Sequence, residues 1–113
     1  SIARIRKDYT LNALNEEEVS ANPFEQFEQW WQQAMQSQID EVNAMTLATV
    51  DAEGFAEART VLLKGYTPEG FVFFTNYNSA KSQHLEANPR CSLLFFWKEL
   101  ERQVRITGLA ERI

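Results

Sequence analysis

The sequence predicts an α+β domain that is mainly antiparallel β, and three patterns carry that prediction. Apolar residues recur every three or four positions from Phe24 onwards, as in an amphipathic helix. Five β-rich runs follow, separated by short turns rich in Gly, Pro, Asp and Asn. A short helical pattern separates the third run from the fourth. Mostly antiparallel strands of this kind favour a small barrel or a strongly curved sheet, since closure removes exposed edges.

The first helix has a clear start signal. Asn22 suits the N-cap and Pro23 the first helical position, while Glu25 and Glu28 favour the positive end of the helix dipole. The apolar stripe predicts a helix that runs to about Gln38. Its aromatic side chains are interpreted as core or dimer contacts.

The strands are predicted from β-branched and aromatic runs bounded by turn residues. They are Met45–Val50, Phe55–Leu63, Phe71–Thr75, Cys91–Trp97 and Arg102–Ile113. Turns are expected at Asp51–Gly54 and Gly65–Gly70, and the short inserted helix at Ser79–Glu86. We expect residues 1–22 to form an N-terminal arm and residues 23–113 to form one domain.

The charge distribution directs attention to the second half of the chain. A net charge of −5 argues against a general nucleic-acid binder, because such proteins need a basic surface. Residues 1–58 hold eleven acidic and three basic side chains, whereas residues 59–113 hold five acidic and eight basic ones. An anionic ligand is therefore expected to bind within residues 59–113.

Cysteine and histidine usage excludes several classes of site. The single cysteine, Cys91, cannot form an internal disulfide and fits a reducing compartment, so we expect a cytoplasmic protein. In an apolar strand its pKa should be raised, which disfavours a nucleophilic role. The single histidine, His84, has no evident catalytic or metal-binding partners. The longest apolar run, residues 93–97, is too short to span a membrane.

A cluster of cations next to strand ends predicts an anion site. Arg59 and Lys64 lie on the second strand, five residues apart, so they face opposite sides if the strand is regular. One ligand contacts both only if the strand ends or bulges near Gly65. Lys81 follows Ser79 at a helix start, where a phosphate could bind, although an ordinary capped connector is an equally good interpretation. A phosphorylated aromatic cofactor fits this set of residues.

Several longer motifs extend the prediction to a family. The chain resembles the pyridoxamine 5′-phosphate oxidase family, which are FMN enzymes, in the runs IARIRKDYT, RTVLLKGY, GFVFFTNYNSAKSQHLEANPRCSLLFFW and LERQVRITGLAER. The resemblance covers essentially the whole chain. It implies an FMN-binding split β-barrel with an N-terminal helix and a short helix inserted between strands, incomplete here at its C-terminus.

The resemblance also implies site residues. For FMN these are Arg59, Thr60, Val61, Leu62, Leu63, Lys64, Phe74, Thr75, Lys81 and Gln103. Arg59 would pair with the FMN phosphate, reinforced by Lys81, while strand backbone meets the flavin ring. Lys64 would also hold the substrate phosphate, and Arg6 and Tyr9 belong to an arm that closes over substrate. Ala80 stands where the family often has Arg, which removes one cation from the phosphate site.

The implied activity is oxidation of pyridoxamine or pyridoxine 5′-phosphate to pyridoxal 5′-phosphate, with dioxygen as acceptor, by a homodimer with FMN at its subunit interface. No nucleic acid or membrane partner is expected. Two alternatives remain open at this point: a split-barrel oxidoreductase of the flavin reductase type, and a dimer that binds flavin or haem without turnover.

Overall fold

The computed structural model describes residues 22–74 and 85–111. Its elements are a helix α1 (Pro23–Gln36) and five strands, β1 (Ala44–Val50), β2 (Ala56–Thr67), β3 (Gly70–Phe73), β4 (Arg90–Trp97) and β5 (Arg102–Leu109), with a 3₁₀ turn at Lys98–Leu100. These residues fall into two compact units. One contains the described residues up to Asp40 together with Trp97–Arg102, and the other contains the remaining sheet residues.

The start of α1 confirms the predicted cap. The Asn22 side-chain oxygen accepts hydrogen bonds from the backbone N–H of Phe24, at 2.9 Å, and of Glu25, at 3.5 Å. The helix ends at Gln36, two residues before the predicted end. The Ser37 hydroxyl donates to the Gln33 carbonyl at 2.6 Å, and Gln38 has a positive φ of 55°, which a right-handed helix does not permit.

The first unit is built around aromatic side chains. Phe27 and Trp31 from α1 lie about 6 Å from the Trp97 ring, with centroid separations of 6.2 Å and 6.0 Å. Phe27 and Trp97 are buried, as are Ala34 and Leu100. The expectation that the helix aromatics serve packing is therefore confirmed for Phe27, whose burial contributes on the order of 1.5–3 kcal/mol.

The second unit is organised by the sheet, whose strand order is β3-β2-β1-β4-β5. β1 and β2 form an antiparallel hairpin that places Leu47 opposite Arg59 and Thr49 opposite Glu57. The hairpin turn depends on Asp51, whose carboxylate accepts from the backbone N–H of Glu53, at 3.0 Å, and of Phe55, at 2.9 Å. Gly54 supplies the positive φ of 89° that this turn requires.

One face of this sheet is apolar and buried. Its fully or nearly buried residues are Met45, Leu47, Thr49, Val61, Leu63, Leu93 and Phe95. They alternate along β1, β2 and β4 with residues that are more exposed, as the two-residue period of a strand dictates. The register of the hairpin therefore decides which side chains of β2 lie inward.

Some predicted boundaries are wrong. β2 was expected to end at Leu63 and a turn to occupy Gly65–Gly70, but β2 continues to Thr67. Its extension pairs with β3, and the Tyr66 and Phe71 rings stack with centroids 6.1 Å apart. Side-chain packing across the pair thus outweighs the turn-forming tendency of Gly65. β5 ends at Leu109, before the predicted Ile113. Ala110 still donates to the Pro89 carbonyl at 2.8 Å, but Pro89 has no N–H with which to continue the ladder.

Several predictions fall on other parts of the chain. The N-terminal arm with Arg6 and Tyr9, most of the inserted helix with Ala80, Lys81 and His84, and Thr75 lie outside the described residues. The described part of that insertion is helical at residues 85–87. α1, the longest described helix, is too short and too polar to cross a membrane.

Candidate functional site

The site residues predicted on β2 divide between the two faces of the sheet. Arg59 lies on the same face as Val61 and Leu63, which are buried, whereas Thr60, Leu62 and Lys64 are exposed on the other. Arg59 and Lys64 therefore have different surroundings.

Arg59 is half-buried and held by the neighbouring strand. Its guanidinium Nη1 donates to Thr49 Oγ1 at 2.7 Å and lies 3.4 Å from the Leu47 carbonyl oxygen. Its Nη2 lies 3.7 Å from Glu57 Oε2, with the two side chains 21% and 43% exposed. The short bond to Thr49 is the strongest of these contacts in geometry, since an ion pair this long and this exposed contributes little.

The backbone of β2 has an edge with no described strand partner. Leu63 N–H donates to the Asn43 carbonyl at 2.8 Å, so the polar backbone groups of Leu63 point towards β1. Successive residues of an antiparallel strand point these groups to opposite edges, so those of Leu62 and Thr60 point away from β1. On that side β3 pairs with β2 only from Leu63 to Thr67. Because the polar groups of Leu63 point towards β1, its pairing with Phe73 is bonded through the flanking residue Leu62. Within the described chain, Thr60 therefore presents a backbone donor and acceptor at an edge with no described partner.

A bulge separates this open edge from the paired end of β2. Leu63 pairs with Phe73 and Gly65 pairs with Val72, which leaves Lys64 as the extra residue on β2. A single ligand could contact both Arg59 and Lys64 only if β2 ended or bulged near Gly65, and this bulge is present. The Lys64 ammonium lies 5.8 Å from the centre of the Phe74 ring, within the range of a cation–π contact. The structure therefore brings together two of the predicted cofactor residues, Lys64 and Phe74.

Gln103 lies on the exposed side of the sheet. The Ser92 and Thr107 hydroxyls are 3.2 Å apart, which places Thr107 on the same face as Ser92. Gln103 is four residues before Thr107 on β5, so it shares that face, and its side chain is exposed. Leu62 and Phe96 are also exposed, by 40% and 55%. This face combines a polar amide with apolar side chains, a mixture that suits a flat heteroaromatic ligand.

The described residues offer neither a reactive cysteine nor a metal-binding cluster. Burial raises the pKa of the Cys91 thiol above its ordinary value, as predicted from its apolar strand, so a reactive thiolate is disfavoured. Among residues 22–74 and 85–111, no group of three His, Cys, Asp or Glu side chains could hold a metal ion.

Sequence reasoning missed Thr49. Its role depends on the pairing of β1 with β2, which a residue-by-residue search for charged groups does not reveal. A usable signal was present, because the predicted turn at Asp51–Gly54 limits the register of the hairpin, and counting back from it brings Thr49 close to Arg59. The missed residue is the strand neighbour whose hydroxyl accepts a hydrogen bond from Arg59.

Comparison with known proteins finds a matching family model and similar curated proteins. A family model described as pyridoxamine 5′-phosphate oxidase matches residues 31–113. The pyridoxine/pyridoxamine 5′-phosphate oxidase of Trichormus variabilis is 57% identical over 113 residues, which cover 100% of this chain and 53% of that protein. The chain thus spans about half the length of the curated relatives it matches.

Two solved structures share the fold. PhzG from Burkholderia lata 383, in complex with tetrahydrophenazine-1-carboxylic acid, superposes with a TM-score of 0.81 at 24% identity, over 88% of this chain and 50% of that one. A pyridoxamine 5′-phosphate oxidase-related, FMN-binding protein from Nostoc punctiforme gives a TM-score of 0.67 at 22% identity, over 80% and 47%. The predicted α+β split-barrel fold class is confirmed by these two structures.

Proposed function

Because the chain belongs to the pyridoxamine 5′-phosphate oxidase family, we propose that it forms the FMN-binding part of an enzyme that oxidises pyridoxamine or pyridoxine 5′-phosphate to pyridoxal 5′-phosphate. The observation that carries this proposal is the combination on β2 of the open backbone edge at Thr60 with two nearby cations, Arg59 and Lys64. A flavin ring needs backbone hydrogen bonds, and its phosphate needs a cation.

The described residues fit FMN in three ways. Thr60 offers a backbone N–H and C=O to the polar edge of the isoalloxazine ring. Arg59, with Nη1 directed at Thr49, keeps further N–H donors for a phosphate oxygen. Gln103 offers an amide on the exposed face of the sheet. The proposed FMN contacts through Val61, Leu63, Phe74, Thr75 and Lys81 complete the set that the family resemblance implies.

FMN, when bound, would supply the redox chemistry: the substrate's 4′ carbon would lose a hydride and dioxygen would be reduced to hydrogen peroxide, and with the amine substrate water would release the nitrogen as ammonia to leave the aldehyde. The protein's part is to bind and orient. Lys64, placed at the bulge and next to Phe74, would hold the substrate phosphate. Arg6 and Tyr9 would close over the substrate. Little proton transfer is required of the side chains.

We further propose that the protein acts as a cytoplasmic homodimer. The exposed Leu62 and Phe96 support a partner surface on the sheet, since large apolar side chains in one region of a surface are typical of interfaces. The sizing of the purified protein tests this point directly: a monomer at all concentrations contradicts it.

A second candidate is a split-barrel flavoprotein with another substrate. It is favoured by the TM-score of 0.81 to PhzG, a protein of this fold solved with a tetrahydrophenazine carboxylic acid. An oxidoreductase of the flavin reductase type belongs to the same group of alternatives. All of these share the flavin site and differ in what reacts at it.

The experiment that separates these functions is an assay of peroxide production by the protein at its natural length, loaded with FMN. Pyridoxamine 5′-phosphate, pyridoxine 5′-phosphate and NADH are supplied in parallel. Peroxide formation that depends on either vitamer supports the proposed oxidase. FMN binding with turnover of NADH alone supports the reductase type, and FMN binding with no turnover supports a binding protein.

A further inference from the structure

We propose that Thr49 is a positioning residue for the flavin phosphate: it sets the orientation of the Arg59 guanidinium. This inference rests on the proposed FMN site and adds a residue to it. Thr49 Oγ1 accepts a hydrogen bond of 2.7 Å from Arg59 Nη1. Among the described residues of the sheet unit, Thr49 is the one buried polar side chain, with 2% of its surface exposed.

The position of Thr49 explains why its hydroxyl can act as a fixed acceptor. Thr49 lies opposite Glu57 in the hairpin, and Arg59 lies opposite Leu47, so Thr49 and Arg59 are diagonal neighbours across the two strands. Diagonal neighbours are within reach of a long side chain such as Arg. A β-branched residue in a strand has few χ1 options, and burial keeps water from competing for the hydroxyl.

Two acceptors on one nitrogen fix the plane of the guanidinium. Nη1 is shared between the Thr49 hydroxyl and the Leu47 carbonyl oxygen, at 2.7 Å and 3.4 Å. Because the guanidinium is rigid and planar, fixing Nη1 also fixes the directions of the other N–H groups. Among the described contacts of Arg59, none uses Nε. A phosphate can then be met by donors that are already oriented, which lowers the entropy lost on binding.

Glu57 offers Arg59 a competing partner. Its carboxylate lies 3.7 Å from Nη2 and is more exposed than the guanidinium. The two contacts coexist, because Nη1 donates to Thr49 while Nη2 faces Glu57. The carboxylate also repels a phosphate, but the ion pair is long and partly exposed, so Nη2 can exchange it for an incoming anion while Thr49 holds Nη1 in place.

The test is a double-mutant cycle on the protein at its natural length, with FMN affinity measured by quenching of flavin fluorescence. Thr49→Val keeps the shape and removes the acceptor, and we expect FMN binding about three- to tenfold weaker. Thr49→Ser keeps the hydroxyl and should restore most of the affinity. In an Arg59→Ala background, Thr49→Val should have no further effect.

This cycle distinguishes a positioning role of Thr49 from a packing role and from a failure of the proposed FMN site. If Thr49→Val weakens FMN binding equally with and without Arg59, or leaves it unchanged in the otherwise wild-type protein, Thr49 has only a packing role and the inference is overturned. If the wild-type protein binds no FMN, the proposed function itself fails, and the positioning role fails with it. A loss of thermal stability without a change in affinity also identifies a packing role.

A second measurement does not depend on the variant folding. In ¹⁵N-edited spectra of the wild-type protein, hindered rotation should give Arg59 separate, slowly exchanging Nη signals, unlike the exposed Arg90. A single averaged signal for Arg59, like that of Arg90, contradicts the proposed orientation.

Discussion

Arg59 and Arg102 are both half-buried arginines on strands, yet they are held in different ways. Arg102 lies over the Trp30 ring, with its guanidinium carbon 4.6 Å from the ring centre, and donates to the Gln33 side chain at 2.7 Å. Burial lowers the pKa of Arg102 below its ordinary value. Arg59 has no aromatic ring beneath it in the described chain and is fixed at Nη1 by Thr49. Arg102 is committed to packing, whereas Arg59 keeps donors for a ligand.

The difference follows from what surrounds each guanidinium. The Trp30 ring covers one face of the Arg102 guanidinium, and the Gln33 amide oxygen accepts from one of its N–H groups. The charge of Arg102 therefore stabilises the unit that contains α1. A hydroxyl and a backbone carbonyl at one nitrogen of Arg59 orient the group without neutralising it. The comparison predicts that substitutions of the two arginines have effects on different measurements.

The largest effect is expected from Arg59→Ala. Loss of a charge-assisted bond to the FMN phosphate should weaken binding by roughly 1.5–3 kcal/mol, or about ten- to a hundredfold in Kd. Arg90→Ala, which removes an exposed arginine at the start of β4, is the matched control and should leave Kd unchanged. Fluorescence titration with FMN measures both variants, and equal affinities for the two would remove Arg59 from the site.

Lys64 shares one property with each arginine. Like Arg102, it contacts an aromatic ring, that of Phe74, and like Arg59, it has a proposed role at a phosphate. Lys64→Ala should raise the KM for pyridoxamine 5′-phosphate by about tenfold, the lower end for a charged hydrogen bond, because the side chain is exposed. FMN affinity should change less. Steady-state kinetics and FMN titration on Lys64→Ala and on Lys98→Ala as control check this, and the reverse pattern assigns Lys64 to the cofactor alone.

Arg102→Ala should lower stability and leave FMN affinity nearly unchanged. The cation–π contact with Trp30 and the bond to Gln33 together contribute about 1–2 kcal/mol at a half-buried site. Urea unfolding followed by tryptophan fluorescence measures the change. A large loss of FMN affinity at unchanged stability would mean that the contrast between the two arginines is wrong.

The smallest effect is expected from Glu57→Gln. The ion pair with Arg59 is long and partly exposed, so its loss should change the free energy of unfolding by less than about 0.5 kcal/mol. Removing a negative charge beside the proposed phosphate site should raise FMN affinity, by at most about fivefold. Chemical denaturation and FMN titration of this variant test both statements, and weaker FMN binding would show that Glu57 supports the site.

The sequence predicted those features that depend on local chemistry. The Asn22 cap, the Asp51–Gly54 turn and the existence of all five strands follow from side chains that act on their own backbone or on near neighbours. The end of β2 was missed because it depends on Tyr66 packing against Phe71 across another strand. Long-range pairing of that kind is not encoded in any short window of sequence.

The candidate site shows the same division. Arg59, Lys64, Phe74 and Gln103 could be chosen by residue type and by family resemblance, and the bulge at Lys64 was anticipated as a condition. Thr49 could not be chosen by type, because a threonine in a strand is ordinary until the register places it next to Arg59. The open backbone edge at Thr60 likewise required the full strand order.

Whether Arg59 holds the flavin phosphate can be tested by comparing two ligands, FMN and riboflavin, which lacks the phosphate. Their affinities are measured for the wild-type protein and for Arg59→Ala. The account predicts that the wild-type protein prefers FMN, that Arg59→Ala removes most of this preference, and that riboflavin affinity is the same in both. A preference for FMN that survives in Arg59→Ala would contradict the claim that Arg59, oriented by Thr49, holds the flavin phosphate.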